Sequence, residues 1–382
     1  MIGFRVEARS GEARASVLTT EHGDVLTPAF MPIATQGTMK GLDTADLGTL
    51  GVRLAIMNTY HLWLRPGAEL VAAQGGLHGF TRFTGAIVTD SGGFQAFSLA
   101  ERTRASETGV EFSSHLDGRR LLLSPEEAMR VQGLLGSDIA MQLDVCPPGG
   151  APREELVAAV ERTTRWAERC LAAAKPGQAV FGIVQGGTDA ELRLEHLERL
   201  ARLPFAGLAL GGFSVGEPNP EMHRTLAVVA PRLDAARPRY LMGVGTPSDL
   251  VRAIGCGIDM FDCVIPTRNA RNGQAFTRHG RIAIRNARYK DDAGPLEDGC
   301  GCPACRGGYG RAYLRHLHQA REMSAARLVT LHNLHFYGTL VAEARRAVQA
   351  GNYAAWAEAR LAELDTEAGV PGDESAAEDA TP

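Results

Sequence analysis

Residues 179–217, AVFGIVQGGTDAELRLEHLERLARLPFAGLALGGFSVGE, decide the fold. A short apolar run ends in Gln185-Gly186-Gly187. A helix-like stretch follows over ELRLEHLERLARL (191–203), and a second apolar run ends in Gly211-Gly212. Strands buried on both faces read as continuous apolar runs, and a helix between two of them makes the pair parallel. Working outward, the same unit recurs. PAFMPIATQ, RLAIMNTYH, AIVTDSGGFQ, DIAMQLDVC, AVFGIVQGG, FAGLALGGFSVGE, RYLMGVGTP and IDMFDCVIPTR make eight such runs. Most are separated by helix-like stretches, such as PREELVAAVERTTRWAERCLAAA (152–174). Eight units imply an α/β fold of the (β/α)8 TIM-barrel type, with an active site at the C-terminal ends of the strands.

Two stretches interrupt the alternation. VEFSSHLDGRRLLL holds two β-like runs around Asp117-Gly118, a hairpin signal. A longer stretch follows the eighth run and holds three of the chain's seven cysteines, in Cys300-Gly-Cys302-Pro-Ala-Cys305. The expected organisation is barrel strands one to eight within 1–263, with the hairpin insertion near 97–123. A basic zinc-binding insertion spans 264–335, closing barrel helices 336–368, and a disordered acidic tail 369–382. There is no internal repeat beyond the β/α alternation.

The 382 residues are 45% hydrophobic, enough for a large core, and no apolar run reaches membrane-spanning length. The N-terminus, MIGFRVEARSGEARAS, has charges where a signal peptide needs an apolar stretch. Scattered, odd-numbered cysteines fit a reducing cytoplasm without a disulfide framework. The net charge of −4 conceals an asymmetry: residues 264–328 carry +7 and residues 353–382 carry −7. A basic segment in an acidic protein suggests a polyanion contact.

Three thiolates within six residues can all face one ion, while C-x-C is a poor disulfide geometry. Zn²⁺ takes four ligands, and the downstream candidates are His316, His318, His332 and His335. His316 and His318 stand two apart in YLRHLHQAR, so a helix would point them to different sides. His332, in Leu331-His332-Asn333, is the chosen fourth ligand. Cys3His leaves no open position, so the zinc, one per subunit, is read as structural; a zinc hydrolase would need an open site.

Asp90, Asp144 and Asp262 each end an apolar run and would converge on one barrel mouth. Strand-end aspartates often cap the next helix, but three together in a barrel favour a site, and paired carboxylates suit glycosyl chemistry. Gln185, beside a Gly pair, suits a nucleobase edge. Phe94 and Met242 could clamp a flat ring.

The strings DSGGFQ, MFDCVIPTRNARNGQAFT, GIVQGG, YLMGVGTP and CGCPAC…LHNL resemble the bacterial tRNA-guanine transglycosylase family over roughly residues 4–365. The resemblance implies a (β/α)8 barrel with a zinc-bearing insertion. It implies exchange of guanine at the wobble position of tRNAs with a GUN anticodon for 7-aminomethyl-7-deazaguanine, in queuosine biosynthesis. On that resemblance Asp262 is the nucleophile at ribose C1′ and Asp90 the general acid/base. Asp144 accepts from the purine N1–H and exocyclic amine, and Gln185 with the Gly212 N–H holds its carbonyl oxygen. Phe94 and Met242 sandwich the ring. The Phe213 carbonyl receives the aminomethyl ammonium, with Glu217 bracing that backbone. Val215 and Cys146 match the bacterial pattern. Arg268 and Arg271 are candidates for gripping the anticodon loop, and a homodimer is implied. Phe94, Phe213 and Ser214 depart from the family's commoner Tyr, Leu and Ala, and the Cys305–His332 spacing is one residue longer, at Gly307-Gly308.

Overall fold

The computed structural model describes residues 2–99 and 103–365. Its centre is a parallel sheet built from Ala29–Met31 with Ile33–Ala34, Leu54–Met57, Ala86–Thr89, Ile139–Met141, Ala179–Val184, Gly207–Leu210, Arg239–Leu241 and Met260–Asp262. The first of these is one run broken at Pro32, which has no N–H to give to a ladder. Its first half pairs with the eighth strand and its second half with the second. The ring therefore closes as a (β/α)8 barrel, and each of the eight apolar runs supplies one strand.

Alternation along each strand sorts its residues into two cores. Met31, Ile56, Val88, Met141, Ile183, Ala209, Tyr240 and Met260 fill the barrel interior. Met57, Ile87, Ala140, Val184, Leu210, Leu241 and Phe261 face the surrounding helices. Both faces being apolar is what made these strands continuous runs in the sequence.

An N-terminal antiparallel meander, Gly3–Ser10, Ala13–Thr20 and Gly23–Thr27, was not separated from the barrel by the sequence reading. Its Leu18 and Val25 join the interior cluster, so it plugs the N-terminal end of the barrel. The buried Arg14 donates to both carboxylate oxygens of Asp259, just before the eighth strand, and Asp259 also accepts the Arg239 N–H. With the charge paired and its lone pairs occupied, the end opposite the mouth is sealed.

Val110–Ser113 and Arg120–Leu123 pair antiparallel around Asp117-Gly118, with the short Arg104–Ala105 beside them. After the eighth strand come the helix Ile265–Arg271, a hairpin (Gln274–Thr277 with Gly280–Ala283), the helices Pro303–Arg306 and Arg311–Gln319, and a 27-residue helix, Met323–Gln349. Ala275, Ile282, Ile284, Leu296, Cys302, Leu314 and Leu317 form a core of their own. The long helix serves two cores without a break: Ala325, Leu328 and Val329 pack into this one, Phe336, Tyr337, Val341 and Ala344 against the barrel. The boundary expected between 335 and 336 falls inside it. The acidic tail expected over 369–382 lies outside the described residues. No helix among the described residues is long and apolar enough to cross a membrane.

Candidate functional site

The alternation that turns Ile56, Val88, Ile183, Tyr240 and Met260 inward carries on past the strands. Two residues further along stand Asn58, Asp90, Gln185, Met242 and Asp262, the top layer of the barrel. Asp90 and Asp262 are buried there. Asp262 accepts two hydrogen bonds on Oδ1, from the Tyr240 hydroxyl at 2.5 Å and the Gly243 N–H at 2.8 Å. No other residue among those described donates to its Oδ2. Burial raises its pKa, opposed by the Gly243 and Tyr240 bonds.

Asp90 is held on both oxygens. Oδ1 accepts from the Thr59 N–H at 2.8 Å, and Oδ2 from the Asn58 and Gln95 side-chain amides. Burial pushes its pKa up to about 6 against those three donors, and the Asp262 charge adds to the rise. Asp144, half-buried in the loop after the fourth strand, is likewise pushed up to about 6, mainly by desolvation and in part by Asp90. The three carboxylates therefore share one field at one mouth.

Gln185 is buried and donates Nε2 to Asp144 at 2.6 Å, while its Oε1 has no partner. The Gly211-Gly212 turn lies against this amide. Gly212 has φ +67°, and a Cβ there would meet Gln185 Oε1 at 2.2 Å, so only glycine fits. Beyond it, Ser214 takes a left-handed φ of 57°. Glu217 offsets that cost by accepting the Ser214 N–H at 2.5 Å and the Val215 N–H at 2.9 Å. The Val215 carbonyl accepts from Gly149, which ties this loop to the one bearing Asp144 and Cys146. Burial pushes the Cys146 thiol up to about 12, so it is a neutral wall.

The Phe213 side chain is buried and faces away from the solvent, and Phe94 is 54% exposed on the helix after Asp90. Met242 is half-buried at the rim of the interior cluster. Phe94 and Met242 thus stand beyond the ends of two different strands, Phe94 on the helix after the third and Met242 just after the seventh.

Arg268 and Arg271 lie on Ile265–Arg271, six and nine residues beyond Asp262. Arg268 is exposed; Arg271 is half-buried and returns a bond to the Thr267 carbonyl at 3.1 Å. Desolvation lowers the Arg271 pKa, with the Arg268 charge adding to it. The wider basic segment is partly spent inside the protein: Arg278 pairs with Glu343, Arg311 with Asp292 and Arg327 with Asp46. Arg268, Arg281 and Arg306 are exposed and make no ion pair among the described residues.

Cys300, Cys302, Cys305 and His332 offer ligand atoms that all lie within 4.8 Å of one another and can hold one metal ion. The three sulfurs stand 3.6, 3.5 and 3.6 Å from His332 Nδ1. His332 Nε2 lies 2.7 Å from the Phe276 carbonyl, which fixes the proton there and leaves the Nδ1 lone pair facing the sulfurs. His316 and His318 sit on Arg311–Gln319, away from the cluster, and His335 lies beside it without joining. His22, His78 and Asp138 form a second group, but the two imidazoles are stacked 3.4 Å apart and 10° from parallel. An ion lies in the plane of each ring that binds it, and stacked planes share none.

The sequence reading missed the residues that hold the carboxylates. Asn58 and Thr59 were visible as the polar end of RLAIMNTYH. Tyr240 lies inside the apolar run RYLMGVGTP and Arg193 inside the helix-like stretch ELRLEHLERLARL, and neither string singles it out, although both are fully buried.

A family model described as "Queuine tRNA-ribosyltransferase" matches residues 9–366. A protein of that name from Sorangium cellulosum is 64% identical over 362 residues, covering 95% of this chain and 92% of the relative. Namesakes from Aromatoleum aromaticum and Neisseria meningitidis serogroup A are 52% and 50% identical, covering 91% and 93% of this chain and 95% and 96% of their own. With its barrel closed, its carboxylates gathered and nearly its whole length matched, this chain belongs to the queuine tRNA-ribosyltransferase family.

Proposed function

We propose that this protein replaces guanine at the wobble position of GUN-anticodon tRNAs with 7-aminomethyl-7-deazaguanine, through a covalent aspartyl-ribosyl intermediate. As a member of its family the chain is a tRNA-guanine transglycosylase. The observation that carries the finer reading is the division of labour between two buried carboxylates. Asp262 has one oxygen fixed by Tyr240 and Gly243 and the other uncommitted. Asp90, with a pKa of about 6, can both give and take a proton near neutrality.

Asp262 Oδ2 attacks C1′ and the bond from C1′ to guanine N9 breaks. Asp90 supplies the proton that the leaving purine takes. The ribose remains as an ester of Asp262 while one base leaves and the other enters the same pocket. Asp90, now a carboxylate, takes the proton from N9 of the incoming base, which displaces Asp262. No phosphodiester breaks, and no energy source is consumed. Asp144 accepts from N1–H and the exocyclic amine, and Gln185 with the Gly212 N–H holds the carbonyl oxygen. Phe94 and Met242 cover the two faces of the ring. Because a trans peptide points its C=O and N–H opposite ways, the Ser214 N–H on Glu217 turns the Phe213 carbonyl toward the base's ammonium.

Zn²⁺ fits the four-ligand site. Zn–S of about 2.3 Å and Zn–N of about 2.1 Å give tetrahedral S···N edges of about 3.6 Å, and the present distances are 3.5–3.6 Å. The donor set is complete, so the ion supplies folding rather than chemistry. It braces a unit whose exposed arginines, with Arg268 and Arg271, meet the RNA phosphates. We place the enzyme in the cytoplasm, where its seven free cysteines stay reduced. We read it as a homodimer; the exposed, stacked Tyr309 and Tyr313 are a suitable contact for a second subunit.

The test is incorporation of labelled guanine into a GUN-anticodon tRNA, with an RNA–protein adduct retained on a denaturing gel. Tight tRNA binding without exchange would favour a binding-only subunit instead. The pH dependence adds a second check. Above about pH 6 Asp144 is a carboxylate; below it, the added proton removes an acceptor for the base. The KM for the base should rise by roughly tenfold per unit below about pH 6, with a smaller change in the KM for tRNA. A flat base KM across that window would remove Asp144 from the role.

A further inference from the structure

Arg193 lies on the helix Ala190–Ala201 and is fully buried. It forms no ion pair with a carboxylate among the described residues. A guanidinium so placed is costly unless its N–H groups are taken. Here the partners are all backbone carbonyls, and all belong to the ends of two neighbouring strands. Nε donates to Gly187 at 2.6 Å and Nη1 to Val184 at 3.1 Å; Nη2 reaches Gly211 at 2.8 Å and Gly212 at 3.3 Å. The guanidinium carbon also stands 3.8 Å from the centroid of the Phe213 ring. Leu192, Leu197 and Leu200 bury the same helix with no such requirement, so anchoring the helix does not call for an arginine.

The direction of these bonds matters. In a planar trans peptide, C=O and N–H point opposite ways. Arg193 draws the Gly211 carbonyl toward itself, so the Gly212 N–H of the same peptide is driven the other way. No acceptor among the described residues takes that N–H. The Gly212 carbonyl is drawn in the same sense. The next side chain, Phe213, packs its ring against the guanidinium, and its own carbonyl belongs to the peptide whose N–H, that of Ser214, Glu217 accepts. The two-glycine turn has no side chains to hold it, so the arginine beneath it does.

We infer that Arg193 is a positioning residue for base recognition: it aims the Gly212 N–H at the purine carbonyl oxygen and, through Phe213, steadies the peptide that meets the aminomethyl group. This rests on the base-exchange reading. A fork that reaches four carbonyls is not replaced by an ammonium, which has the charge but neither the plane nor the reach.

The test compares wild type, Arg193→Lys and Arg193→Met. Melting temperature, the KM for base and the KM for tRNA are measured separately, together with direct binding of 7-aminomethyl-7-deazaguanine by calorimetry. Absence of exchange in wild type would sink the base-exchange reading itself. Given exchange in wild type, folded Arg193→Lys should show a base KM and Kd raised roughly 10- to 100-fold, with the tRNA KM within about twofold. Arg193→Met should be no better than Lys. An unchanged base KM in Lys, or equal losses for base and tRNA, overturns the inference. If Met does not fold, Lys decides. If neither folds, the guanidinium is a core tie and the inference fails.

Discussion

Asp262→Asn should lose base exchange by at least about 10⁴-fold and form no covalent RNA adduct. The substitution is nearly isosteric, and the Asn carbonyl can still accept from Tyr240 and Gly243, which occupy only Oδ1 in the native site. The pocket and the fold are therefore kept, and what disappears is the anionic oxygen that would bond to C1′. Binding of tRNA should persist, since the exposed arginines are untouched. The check pairs labelled-guanine exchange with a denaturing gel and a tRNA Kd. Exchange within about tenfold of wild type would show that no ester on Asp262 is required, and the covalent mechanism would fall. Loss of tRNA binding alongside exchange would mean that the variant had damaged more than the chemistry.

Removing the metal, by chelation or by Cys302→Ser, should abolish order in one region and leave another intact. Structural zinc contributes about 10–16 kcal/mol in small peptides that have no other core. Residues 270–329 have a core of their own, but Cys302 is buried at its centre, so the ligand site and the hydrophobic cluster come apart together. Hydrogen-exchange protection should vanish over the hairpin Gln274–Thr277 and Gly280–Ala283 and the helix Arg311–Gln319. It should persist in the barrel strands. Affinity for tRNA should drop by about 100-fold or more, while binding of the free base, which needs only the barrel mouth, should survive. If chelation stopped exchange without loss of protection or tRNA affinity, the ion would belong to the chemistry and its structural reading would fail.

These two expectations come from parts of the molecule that differ in how plainly the sequence states them. The eight strands were legible because a strand buried on both faces is a continuous apolar run, and its end is marked by Gly, Asp or Gln. The three cysteines of the candidate metal site were legible because their spacing is local, whereas His332, 27 residues beyond Cys305, was one of four downstream histidines. The meander was not, because GFRVEARS alternates as any half-exposed strand does and carries no sign of which surface it covers. The boundary inside Met323–Gln349 was hidden for a different reason. Leu331, His332, Asn333, Leu334, Phe336 and Tyr337 are all buried, so no polar face marks where one core ends and the next begins. Roles given by long-range partners were the least readable. Tyr240 holds Asp262 across 22 positions, and Arg193 reaches Gly211 across 18. Nothing near either residue in the sequence announces those bonds.

The helix Met323–Gln349 also fixes a distance. At 27 residues it runs about 40 Å. About a third of the way along, His332 lies among the sulfurs, and Asn333 beside it bonds the Pro266 and Gln274 carbonyls and the Phe276 N–H. Toward the C-terminal end Arg345 grips the Ser16 and Thr27 carbonyls beneath the barrel. One rod is thus riveted at the Cys3His cluster, near Asp262 and at the floor, with no break along it. A ligand that spans the arginines and Asp262 meets a gauge of set length. On the base exchange proposed above, the adjustment falls on the ligand: a nucleic acid would swing its target nucleotide out of the stack, at a few kcal/mol, to bring C1′ down to the carboxylate.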